Sequence, residues 1–241
     1  MLELQNVTVK AKKKTLLHDI SETFDVGKVY AIMGPNGSGK STLAQSILGH
    51  PGLTLTKKSK ILLHGKDITG LATDKRAAKG LFMTFQNPLA IDGVTVFNVL
   101  QYALEKSMTS EEIREKAYVL SEKLGISKEL LERPLNVAFS GGEKKKLEVL
   151  QAAVIDPDLI IFDEVDTGVD VDALRRMTLV ISEMKARDPK KTMVVITHYT
   201  RILDYITPDE VLVMKEGSIV DRGPYALAQK IDAEGYTQYE G

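Results

Sequence analysis

The sequence predicts an α/β fold with a mostly parallel core sheet, an N-terminal antiparallel β part and an inserted α-helical subdomain. Three observations carry this expectation. Short apolar runs at Val29–Met33, Leu81–Phe85, Leu159–Phe162 and Met193–Thr197 read as strands buried on both faces, and helical stretches separate them. Leu2–Val9 alternates apolar and polar residues, as a half-buried strand does, and Lys10–Lys14 reads as its hairpin turn. Between Gln86 and Phe139 no strand run occurs and helical periodicity takes over. Thr109-Ser110-Glu111-Glu112 there has the form of a capping box, and Ile113, Ala117, Leu120 and Leu124 recur on one helical face. Val211–Met214 and Ser218–Val220, around Lys215-Glu216-Gly217, read as a closing antiparallel hairpin. The expected division is a core of residues 1–86 and 139–241, with a helical subdomain at 87–138.

Composition excludes several function classes. With 43% apolar and 27% charged residues among 241, the chain has the makeup of a folded domain rather than a disordered one. Lys plus Arg is 32 and Asp plus Glu is 33, a net charge of −1, which argues against a nucleic-acid partner. No stretch approaches the length of a membrane span, and Met1-Leu2-Glu3-Leu4 lacks the form of a leader, so the expectation is a cytoplasmic protein with no direct membrane insertion. The absence of cysteine excludes disulfides, thiolate-held metal centres and cysteine nucleophiles within this polypeptide.

Gly34-Pro35-Asn36-Gly37-Ser38-Gly39-Lys40-Ser41 fits the phosphate-loop pattern G-x-x-x-x-G-K-[ST]. Its glycines let backbone N–H groups turn toward phosphate oxygens, Lys40 supplies a point charge, and the Ser41 hydroxyl can ligate Mg²⁺. The helix that starts near Lys40 and carries Thr42 in its first turn directs a positive dipole end at the same anion. Leu159–Phe162 leads into Asp163 and Glu164, so a buried strand ends in two carboxylates beside that loop. Asp163 is placed to hold Mg²⁺, and Glu164 to orient and deprotonate an attacking water. Nucleoside triphosphate hydrolysis follows, with ATP and Mg²⁺ as the cofactors. Ser140-Gly141-Gly142-Glu143 opens another helix, with Ser140 as N-cap and Glu143 closing the box, and its two glycines leave first-turn N–H groups uncovered as a second anion site.

Together with Gln86, Asp170 and His198, these motifs run in an order that resembles ABC-type ATPases over nearly the whole chain. The resemblance implies a head-to-tail dimer in which each ATP lies between one copy's phosphate loop and the other copy's Ser140-Gly141-Gly142. It implies that Gln86 senses nucleotide and Mg²⁺, that Asp170 lies in the loop crossing the interface, and that Lys40, Glu164 and His198 are catalytic, with His198 on the γ-phosphate. Phe139–Lys145, Asp163–Asp170, Thr197–Ile206 and Glu234-Gly235-Tyr236 are similar to the SufC family of iron–sulfur cluster assembly ATPases. That likeness implies a SufB/SufD-type scaffold as partner, whose own residues would ligate the cluster that this cysteine-free chain has no thiolate to hold. The alternative is a nucleotide-binding subunit of an ABC transporter. Val9–Lys14 offers no aromatic residue to stack on a base, unlike many ABC ATPases.

Overall fold

The computed structural model describes residues 1–239, which group into two compact units. The first holds Met1–Met83, Asp158–Glu164 and the described residues from Pro189 onward. The second holds Thr84–Pro157 and Val165–Asp188, so it takes in the whole of 87–138 together with two further helices.

Both sheets lie in the first unit. Strands β1 (Leu2–Ala11) and β2 (Lys14–Phe24) form an antiparallel pair, turning at Lys12-Lys13 where the lysine-rich segment predicts it. β4 (Thr54–Leu55) and β5 (Lys60–Leu63) also pair with β1, and β6 (Lys66–Asp67) with β5. The second sheet comprises β3 (Val29–Met33), β7 (Leu81–Met83), β8 (Leu159–Asp163), β9 (Thr192–Ile196), β10 (Glu210–Lys215) and β11 (Ser218–Gly223). Its order is β11-β10-β3-β9-β8-β7, parallel throughout except for the β10–β11 hairpin. All four apolar runs are therefore strands of one parallel sheet. Their ends differ slightly from expectation: Thr84, Phe85 and Thr197 fall outside, and Asp163 and Thr192 join.

Alternate residues of these strands, among them Tyr30, Ile32, Ile161, Val194, Ile196 and Leu212, form one apolar cluster with Leu2, Leu4 and Val9 of the antiparallel sheet. Helix α1 (Lys40–Leu48) contributes Leu43, Ala44 and Ile47 to the same cluster. The intervening residues Ala31, Ile160, Phe162 and Val195 are buried too, which is why these strands read as continuous apolar runs. Each large side chain buried in this way contributes about 1.5–3 kcal/mol.

Arg76, in the short α2 (Thr73–Ala77), is only 2% exposed. Its guanidinium donates to the carbonyls of Ser46 and Ile47 at the end of α1 (3.0 and 2.7 Å), and to Leu71 and Thr69 (2.9 and 2.8 Å). Ser46 also accepts the Gly49 N–H at 3.2 Å, and both carbonyls lie in the last turn of α1, so the cation adds a donor there and faces the negative dipole end. Burial pulls its pKa below the ordinary value. Arg76→Met keeps most of the volume but strips the donors. It is expected to cost about 2–3 kcal/mol in urea unfolding, and an unchanged midpoint would refute this role.

The second unit is helical: α3 (Val96–Leu104), α4 (Ser110–Leu124), α5 (Lys128–Leu131), α6 (Gly141–Ile155) and α7 (Val171–Arg187). Its single described bridge, Thr95 to Pro134, agrees with the absence of a strand run there. Thr109 and Glu112 make the capping box at both ends, 2.7 Å to the Thr109 N–H and 3.3 Å to the Glu112 N–H. Ile113, Ala117 and Leu124 are buried as the periodicity predicts, with Leu120 half-buried. No helix among the described residues is long and apolar enough to cross a membrane.

Candidate functional site

The segment Gly34–Ser41 leaves the centre of the parallel sheet at the end of β3 and enters α1. Gly34 has φ +155°, and a Cβ there would lie 2.2 Å from the Met214 carbonyl oxygen, so no other residue fits. Gly39, at φ +105°, would meet the Leu17 side chain at 2.8 Å. The β10–β11 turn braces the loop from outside, the Gly217 N–H donating to the Ser38 carbonyl at 2.8 Å. Lys40 is 4% exposed, and its Nζ donates to the Gly34 and Pro35 carbonyls at 2.9 and 3.1 Å. Desolvation lowers its pKa, against the opposing pull of the Glu164 and Asp163 carboxylates. The Ser38 hydroxyl is buried inside the loop with no hydrogen-bond partner among the described residues, and no acidic residue occupies the first turn of α1. The loop is thus a cradle of donors with one donor group unspent, which suits an anion.

Asp163 closes β8 with no exposed surface, and its Oδ1 accepts the Ser41 hydroxyl at 3.1 Å. A hydroxyl and a carboxylate side by side are the oxygen donors that Mg²⁺ prefers. No group of three or more His, Asp or Glu among the described residues could hold a metal by itself. Glu164 takes a left-handed conformation (φ +51°) as the chain leaves the sheet, its N–H donating to the Ile196 carbonyl at 2.9 Å. Its Oε1 lies 3.0 Å from Nε2 of His198, the residue that follows Thr197 beyond β9. The resemblance implies a γ-phosphate contact for His198, and within the chain its ring meets the Glu164 carboxylate. Lys40, Ser41, Asp163, Glu164 and His198 all belong to the first unit.

Gln86, Ser140–Glu143 and Asp170 belong to the second. Gln86 is exposed, and its backbone is gripped by α6: Lys145 Nζ donates to the Gln86 carbonyl at 3.0 Å, and Glu148 accepts the Phe85 N–H at 2.8 Å. Ser140 N-caps α6 as expected, and Glu143 accepts both its N–H and its hydroxyl at 2.7 Å. These bonds hold the Glu143 carboxyl below the usual range. Glu143 thus turns back on Ser140 as the capping box predicts, while Lys145 and Lys146 donate to carbonyls of their own unit, Gln86 and Gly125. Asp170 N-caps α7, accepting the Ala173 N–H at 2.7 Å. Among the described residues, a Cβ on Gly141 would meet nothing within 4 Å, and one on Gly142 only Val169 at 3.9 Å. Sequence reasoning missed the α6 grip on residues 85–86, because an exposed-looking Lys145 and Glu148 carry no signal of which backbone they reach.

The chain matches a family model described as ABC transporter over residues 17–167. A Streptococcus pyogenes protein named as a probable ABC transporter ATP-binding protein is 42% identical over 242 residues, which cover 98% of this chain and 93% of that one. The probable ATP-dependent transporter SufC of Escherichia coli is 40% identical over 244 residues, covering 98% of this chain and 97% of that one. Among solved structures, the ADP conformation of MJ1267, an ATP-binding cassette of an ABC transporter, superposes with a TM-score of 0.77 at 27% identity, covering 100% of this chain and 98% of that one.

Proposed function

From the premise that this chain belongs to the ABC-type ATPases, with SufC among its homologues, we propose that it hydrolyses ATP between two head-to-tail copies to drive a SufB/SufD-type iron–sulfur assembly scaffold. One observation carries the two-copy reading. Gly141 and Gly142 open α6, and among the described residues a Cβ on Gly141 would meet nothing within 4 Å and one on Gly142 only an ordinary contact with Val169 at 3.9 Å. Glycines that their own chain does not require suit a surface that a phosphate and a second copy must approach closely.

The division of labour follows from the donors. Gly34, Pro35, Asn36, Gly37, Ser38, Gly39, Lys40, Ser41 and Thr42 surround the phosphates, and the free Ser38 hydroxyl gains its partner there. Ser41 and Asp163 would hold Mg²⁺, which would supply positive charge to the phosphate oxygens, and the family resemblance gives Gln86 the part of sensing that ion. Glu164 takes the proton of the attacking water, and His198 steadies the Glu164 carboxylate while reaching the γ-phosphate. The second copy's Ser140–Glu143 covers the γ-phosphate and excludes bulk water, and Asp170 stands at that interface. The 87–138 subdomain passes the closure to the scaffold.

The test mixes the purified chain with a purified SufB/SufD-type scaffold and follows phosphate release. Turnover is expected to rise by roughly fivefold or more. Unchanged turnover would refute the scaffold coupling, and association with membrane subunits in cell fractions would favour the transporter reading instead.

A further inference from the structure

The first donor of the phosphate loop is taken by the far end of the chain. Gly34 N–H donates to the Tyr236 hydroxyl at 2.9 Å, across 202 positions of sequence. The carbonyl of the same Gly34 accepts the Lys40 ammonium at 2.9 Å, so one residue is held on its two sides by Tyr236 and by Lys40. The tail that carries Tyr236 is itself tied down. Tyr239 donates its hydroxyl to Asp221 Oδ2 at 2.6 Å and accepts Lys215 Nζ at its carbonyl. One turn earlier, in helix α8 (Tyr225–Glu234), Asp232 accepts the Thr200 hydroxyl at 2.9 Å, and Thr200 lies two residues beyond His198. Tyr225 of the same helix donates to Asp204. The C-terminal helix and tail therefore touch the root of the phosphate loop at one end and the turn behind His198 at the other. Burial raises the Tyr236 phenol above its ordinary pKa, so it stays neutral and keeps its hydroxyl proton at physiological pH.

We propose that Tyr236 is a positioning residue for ATP: its hydroxyl fixes the Gly34 peptide, and through it the Lys40 carbonyl contact, so that the loop is preset for the phosphates. The inference rests on the reading that Gly34–Ser41 is the ATP site. A preset loop serves substrate and transition state alike, so losing it raises KM and leaves kcat unchanged.

Tyr236→Phe removes the oxygen and keeps the ring. In the full chain, ATP affinity measured by calorimetry and the KM of phosphate release are each expected to worsen about fivefold, the worth of one hydrogen bond, with kcat within twofold of the parent. Parental affinity and KM in Tyr236→Phe would overturn the inference, as would a fall in kcat at unchanged KM. Lys40→Ala in the same assay separates the two readings. If it loses ATP while Tyr236→Phe keeps it, only the positioning role fails; if Lys40→Ala also keeps ATP, the site itself is misplaced.

Discussion

Glu164→Gln is expected to cut ATP turnover by roughly 10²–10⁴-fold while leaving ATP affinity near the parental value. The amide keeps the shape of the carboxyl and can still face His198 Nε2, 3.0 Å from Oε1, but it cannot accept the proton of an attacking water. Glu164 is 6% exposed and held at φ +51° by a backbone bond to Ile196, so no neighbouring carboxylate swings easily into its place. Asp163, the one beside it in sequence, is engaged with Ser41. Because binding persists and hydrolysis does not, the variant should also accumulate an ATP-dependent dimer in size-exclusion chromatography. Turnover within tenfold of the parent would remove Glu164 from the role of base, and a monomer at saturating ATP would count against closure between copies.

Lys40→Ala is expected to weaken ATP binding by roughly 100-fold or more, the loss of a charge-assisted contact in a site shielded from water. The ammonium is buried, and desolvation presses its pKa down against the pull of the Glu164 and Asp163 carboxylates, so phosphate oxygens around it would add to the stabilisation of its charge. Its Nζ donates to the Gly34 and Pro35 carbonyls. Removing it therefore frees two loop carbonyls as well as a charge, and thermal unfolding should be followed alongside calorimetry with a non-hydrolysable analogue. Retention of near-parental affinity in a folded variant would contradict the site.

How much of this could be read beforehand depended on the range of the interaction. Val29–Met33 and Leu159–Phe162 were legible because burial on both faces leaves an unbroken apolar run. Ser140 and Thr109 were legible as caps because a capping box closes within four residues. The pairs that cross the chain left no local trace. The His198–Glu164 contact joins the ends of two neighbouring strands, and only the sheet order makes them neighbours. Arg76 looks like a surface charge, since nothing in Thr73–Ala77 reveals that four carbonyls await it. The short strands β4 to β6 escaped notice because two to four residues are too few to show alternation. Membership of α6 and α7 in the second unit was equally hidden, for their motifs point to chemistry and say nothing of which helices they pack against.

The bond between Gly34 and Tyr236 has a consequence for biosynthesis. The loop is translated within the first fifth of the chain, and its sheet neighbours β9 and β10 emerge only after residue 190. A nascent polypeptide that has not yet reached Tyr236 carries Gly34 and Lys40 yet lacks the oxygen that receives the Gly34 N–H. The contact joins residues 202 positions apart, and folding of so non-local a topology is correspondingly slow.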